Sequence, residues 1–248
     1  MFLKKKILLA IVISGMLTII SAPVGATPII FTGSGTNPIT GQAISASAAF
    51  DIVAGNLQVT LTNLGADVLA PSDVLTAVFF NIPGSPSLSR ISANLNGSSV
   101  LFGPGGIIGG EWAYTNSVGG GPSGANEGIS SSGFGIFGPG NLFPGPNLQG
   151  PISPDGVQYG ITSGVDNPAT GNAPVTGRNA LIQSSAVFTL GSLPLTFTLA
   201  DISNVSFQYG TDLNEPNISV PEPSTLLLLG AGLVGLGLLG RKKFRTKG

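Results

Sequence analysis

Between Thr27 and Ser219 no stretch of this 248-residue chain repeats its apolar residues at the 3.6-residue period of an amphipathic helix. Strands are then the way this region buries a core. The clearest alternation lies in Phe50–Asn63, where Leu57, Val59 and Leu61 alternate with Gln58, Thr60 and Thr62. That is the pattern of a half-buried strand. Ala46–Val53 precedes it, and Gly55-Asn56 is the expected turn of a hairpin. Val74–Ile82 carries Phe79 and Phe80 and stops at Pro83-Gly84, and Ser87–Leu95 alternates imperfectly. Ala186–Leu190, Leu195–Leu199 and Val205–Tyr209 are short apolar runs bounded by Gly, Pro, Asn or Asp. Short strands punctuated in this way predict an all-β fold with a β-sandwich-like body.

Gly103–Gly177 interrupts that body with 21 glycines and reads as a long irregular region. It lacks the strict Gly-X-Y period of collagen. Its aromatics, Trp112, Tyr114, Phe134, Phe137, Phe143 and Tyr159, either pin it to a sheet or stand exposed and stack on sugar rings. Packing is the commoner fate in a body so poor in charge.

The chain has no cysteine and no histidine. This excludes disulfides, thiolate and imidazole metal sites, and a Ser-His-Asp triad. Charge is distributed by position. Eight of the ten basic residues lie at the two ends, and only Arg90 and Arg178 lie between. Those two face ten of the eleven acids, so residues 27–220 carry a formal −8. A body without a basic face is no nucleic-acid binder.

The N-terminus reads as a signal peptide. Lys4–Lys6 form its basic region and Ile7–Ile20 its apolar core. Val24-Gly25-Ala26 places small residues before a cleavage point between Ala26 and Thr27. The C-terminus has a second apolar run, Leu226–Gly240, followed by the basic residues Arg241, Lys242 and Lys243. Fifteen helical residues span about 23 Å, short of a roughly 30 Å hydrocarbon core. Ser224, Thr225 and Phe244 lengthen the run, and basic side chains can snorkel. A single transmembrane helix is expected, with the basic tail inside and the body outside. Gly230-Ala231-Gly232-Leu233-Val234-Gly235 matches a dinucleotide fingerprint, but no acid follows at the required distance. These glycines suit close helix approach in a membrane.

Val220-Pro221-Glu222-Pro223-Ser224-Thr225, the apolar run and the basic cluster together resemble the PEP-CTERM sorting signal. The resemblance implies an exported bacterial protein that a membrane-embedded exosortase cleaves near the motif and passes to the cell surface or extracellular matrix. Val220, Pro221, Glu222, Pro223 and Ser224 would then be the processing motif. The two prolines restrict φ, and Pro223 disfavours the α region at Glu222, so the motif is held extended ahead of the helix. Asn204–Thr211 and Phe50–Leu64 resemble, more loosely, passenger domains of the same group. The expected division is a signal peptide at 1–26, a β-rich passenger at 27–219 and a sorting signal at 220–248.

Little else in the sequence points to chemistry. Glu111, Glu127 and Asp155 are candidates for a glycosidase pair, which needs two converging carboxylates. No EF-hand calcium loop and no Gly-x-Ser-x-Gly elbow is present. Asn96-Gly97-Ser98, Asn204-Val205-Ser206 and Asn217-Ile218-Ser219 match the glycosylation sequon, mostly a chance match in a bacterial export context. The expected role is therefore non-enzymatic, structural or interactive, with no cofactor and no metal. Its expected partners are the exosortase and the membrane. The second reading is a carbohydrate-binding or adhesive module whose partner is an extracellular polysaccharide, and the third a secreted carboxylate hydrolase.

Overall fold

The computed structural model describes residues 27–119, 121–133, 146–150, 156–169 and 179–221. The expected signal peptide, the apolar run Leu226–Gly240 and the basic tail lie outside the described residues, as do Phe134, Phe137, Phe143 and Asp155. Among the described residues no helix is long and apolar enough to cross a membrane.

Two β-sheets make up the body. The first has the order β1 (Ile29–Thr36), β2 (Ala43–Val53), β3 (Asn56–Asn63), β11 (Ser185–Gly191) and β5 (Ser89–Asn94), antiparallel throughout. The second runs β13 (Asn217–Ser219), β12 (Ser203–Tyr209), β4 (Leu75–Asn81), β9 (Ile161–Thr162), β10 (Leu181–Gln183) and β6 (Ser99–Leu101). Its β8 (Glu127–Ser130) pairs with β4, and β7 (Ala113–Thr115) pairs with β8. The β9–β10 pairing is parallel.

In β3 the alternation turns Leu57, Val59 and Leu61 inward, all fully buried, with polar neighbours half-buried on the other face. The turn before β3 is Ala54-Gly55, one residue earlier than expected. Both residues have positive φ, 50° and 79°, as a two-residue hairpin turn of matching twist requires, and Asn56 already pairs with Val53. Leu195–Leu199 is not a strand. Phe197 N–H bonds back to Pro194 O, and a single 3₁₀ turn follows at Leu199–Asp201. Pro194 interrupts any ladder here, so the segment turns the chain from one sheet to the other.

The inner faces of the sheets meet at aromatic rings. Phe50 of β2 contacts Phe31 of β1 edge-on at 5.7 Å and Phe80 of β4 at 5.2 Å. Polar side chains tie the connections. Asn63 takes the next inward position after Leu61, and its amide donates to Ile161 O at 2.8 Å. Asn37 donates to Ser72 and to Asp73, whose carboxylate also accepts from Thr40 and from the N–H groups of Leu69 and Ala70.

The glycine-rich region is partly built into the fold, since it supplies β7, β8 and β9. Trp112 is fully buried, 4.7 Å from Phe188, and its indole N–H donates to Tyr159 O. Tyr114 and Tyr159 are also buried. Packing, not sugar stacking, is therefore the fate of these three aromatics.

The registers place Ile29, at the start of the first strand, and Val220, after the last, at one end of the sandwich. Ile29 opens β1 opposite Phe50, beside the Ala54-Gly55 turn. In the other sheet β13 pairs Asn217 with Gln208 and Ser219 with Ser206, so Val220 heads toward the start of β12. A Cβ on Gly33 would lie 2.7 Å from Ile218 and 3.2 Å from Val220, and one on Gly35 would lie near Ile218 alone. β13 thus descends alongside β1 toward Ile29.

Because Phe50 touches both sheets, Phe50→Ala should lower the unfolding free energy by about 3–5 kcal/mol. Urea denaturation followed by tryptophan fluorescence measures this. A loss below about 1 kcal/mol would show that the sheets do not depend on this contact.

Candidate functional site

The first candidate is the junction where the sorting motif leaves the sandwich. The β12–β13 turn is held by Gln208, whose amide nitrogen donates to the carbonyls of Tyr209, Asp212 and Glu215. The Glu215 carboxylate accepts from Asp212 N–H at 2.8 Å. With the turn fixed, Ile218 and Val220 pack against the main core, and Val220 N–H donates to Val205 O at 2.9 Å. Pro221 comes next. It has no N–H, so the ladder cannot continue through it, and it is exposed.

Of the expected processing motif, Val220 is therefore half-buried and bonded to the sheet, and Pro221 is the last described residue. Glu222, Pro223, Ser224, Arg241, Lys242, Lys243 and Ala26 lie outside the described residues. Thr27 is exposed and leads into β1.

The second candidate is a polar cleft of about 670 Å³ at the same end of the sandwich. Ser87, Ser89 and Arg90 line one side, and Tyr114, Asn116 and Ser117 the other. Arg90 is the one Lys or Arg among the described residues, and its guanidinium donates to Asn147 O at 2.7 Å. Beneath the cleft Tyr114 Oη donates to Glu127 Oε2 at 2.5 Å. Glu127 is fully buried, and its other oxygen, Oε1, has no hydrogen-bond partner. Burial pushes the Glu127 carboxyl up to about 7, partly opposed by the Tyr114 hydrogen bond. Burial first, then the neighbouring carboxylate, holds the Tyr114 phenol well above its ordinary range.

Of the three expected carboxylates, Asp155 lies outside the described residues and the other two are buried. Glu127 is sealed, and Glu111 is only 7% exposed, close enough to Tyr159 to raise its phenol behind the larger effect of burial. Among the described residues no three metal-ligating side chains cluster. Sequence reasoning missed Tyr114–Glu127 as a pair. Thirteen residues separate them, and only the β7–β8 register brings them together.

The pair makes stability depend on pH. The folded state binds the Glu127 proton more tightly than the unfolded chain, whose carboxyl titrates near 4.5. Its stabilising effect is complete below about pH 4.5 and is lost as pH rises through about 7. The loss approaches about 3 kcal/mol. Urea unfolding at pH 4.5 and pH 7.5 should show this decline in the native chain and a smaller one in Glu127→Gln. Equal slopes for both proteins would remove Glu127 as the cause.

No curated protein and no solved structure matches this chain. A family model does match, that of the PEP-CTERM protein-sorting motif, over residues 219–243. The match begins at the last residue of β13 and takes in the Pro-Glu-Pro triplet, the apolar run and the first basic residues. A β-sandwich whose final strand passes directly into this segment is thus a body joined to a sorting signal, and the chain carries the PEP-CTERM protein-sorting motif.

Proposed function

We propose that this is an exported surface or extracellular-matrix protein, processed by an exosortase, whose sandwich serves a structural or interaction role without catalysis. The observation that carries this reading is the sorting motif at residues 219–243, placed where the folded body ends. The N-terminal basic and apolar segments support export, with removal after Ala26. Leu226–Gly240 supports a membrane anchor, and Arg241, Lys242 and Lys243 support its orientation with the body outside the cytoplasm. The burial of Glu111 and Glu127 and the absence of histidine and cysteine favour a body without turnover.

The geometry at Pro221 explains how such a substrate is presented. The chain is held by β-sheet pairing up to Val220 and cannot pair at Pro221. A processing enzyme acting beyond Pro221 then has no need to unfold the paired strands. The intact mass of protein recovered from the cell surface should correspond to a chain starting at Thr27 and ending near Pro221–Pro223. Replacing Pro221, Glu222 and Pro223 together by alanine should leave the C-terminal segment attached. A native protein that retains Leu226–Gly248 at the surface would overturn processing.

A second reading, binding of an extracellular polysaccharide, is favoured by the cleft. Serine, asparagine and tyrosine hydroxyl and amide groups with one guanidinium suit a polyhydroxylated ligand bearing a carboxylate. A glycan array should show acidic glycans retained by the native protein and about tenfold weaker retention for Arg90→Ala, one charge-assisted hydrogen bond's worth. Absence of any retained glycan would dismiss this reading.

A further inference from the structure

We infer that the end of the sandwich bearing Ile29 and Val220 rests on the lipid surface while the protein is anchored, with the Pro194–Phe197 turn as its contact. This rests on the reading of Leu226–Gly240 as a membrane anchor. Between the last described residue and that run lie only Glu222, Pro223, Ser224 and Thr225. With Pro221, five extended residues span at most about 18 Å. The terminal end of the body is therefore held close to the bilayer by its own chain.

That end presents a suitable contact. Leu195 is fully exposed at the tip of the turn. Its neighbours Leu193 and Phe197 pack against the core, and Phe197 N–H closes the turn onto Pro194 O at 2.9 Å. The turn is thus rooted in the core and projects a leucine. Val53, beside the hairpin turn, and Ile30, near the start of β1, are also exposed at this end. Apolar exposure alone does not choose the end, because Ile39, Leu64 and Val165 are exposed at the opposite one. The tether chooses it, because Val220 and Pro221 leave the sheet at the Leu195 end.

The chain contains no cysteine, so Leu195→Cys and Val165→Cys each supply a single labelling site on an exposed side chain. Each full-length variant, labelled with an environment-sensitive fluorophore, is reconstituted into phosphatidylcholine–phosphatidylglycerol vesicles. The Leu195 probe should shift its emission to the blue and be quenched by brominated lipid several-fold more than the Val165 probe. Equal, water-like emission from both probes in protein that floats with the vesicles would overturn the inference and leave the anchor intact. Protein that does not float with the vesicles would defeat the anchor reading, and the inference with it. A Leu195 shift that follows protein concentration instead of lipid would assign the face to a second copy of the chain and overturn the lipid contact.

Discussion

The fold depends on the burial of apolar side chains between two sheets, concentrated where Phe50 contacts Phe31 on its own sheet and Phe80 on the other. A chain with 8% charged residues has few ion pairs to draw on. Apolar area removed from water, at roughly 25 cal/mol per Å², is then the main favourable term. Around the aromatic contact, Leu57, Val59 and Leu61 from β3 and Val78, Phe207 and Tyr209 from the opposing sheet complete a fully buried layer. Trp112 extends it into the glycine-rich region by packing on Phe188. That contact, with the indole bond to Tyr159 O, explains why a segment with so many glycines nevertheless contributes strands.

Polar groups inside the body follow one rule with three exceptions among the described residues, the Ser132 and Tyr209 hydroxyls and one Glu127 oxygen. Asn37, Asn63, Asp73 and Gln208 are buried and saturated with hydrogen bonds, and each fixes a connection. Asn63 and Gln208 do so through neutral amides, which are cheaper to bury than charges. Glu127 is the one titratable carboxyl among these exceptions. It keeps one unpartnered oxygen and a raised carboxyl, so the neutral acid is the form the fold prefers. Tyr114 is its hydrogen-bond partner and also a wall of the polar cleft, which couples the protonation of a sealed group to a surface feature.

The sorting motif and the sandwich share a boundary of one residue. Val220 is still part of the β-ladder, and Pro221 cannot be. Proline therefore ends the pairing of the last strand at the first residue of the Pro-Glu-Pro triplet. Gly33 matters to the same junction. Its missing Cβ lets β1 approach Ile218 and Val220 closely, which seats the last strand before the chain leaves.

The local parts of this protein were legible in its residues. Leu57, Val59 and Leu61 announced β3, because period two alone distinguishes the two faces of a strand. The Pro-Glu-Pro triplet, apolar run and basic cluster announced the sorting motif, because that signal is read in linear order. The hairpin turn was displaced by one residue, since Ala54 accepts a positive φ that the sequence does not advertise. Leu195–Leu199 imitated a strand, and only the need to cross between sheets made it a turn. The eight-residue β1 and the short strands β6, β10 and β13 were not anticipated, because their pairing partners supply most of the reason for their existence. By itself, then, the sequence determined the all-β class, the core face of β3 and the sorting signal, all carried by neighbouring residues. The tertiary structure alone decided that Glu127 meets Tyr114, that Trp112 packs on Phe188 and that Ile29 and Val220 lie at one end. Those outcomes depend on strand register, and register is set by contacts between residues far apart in the chain.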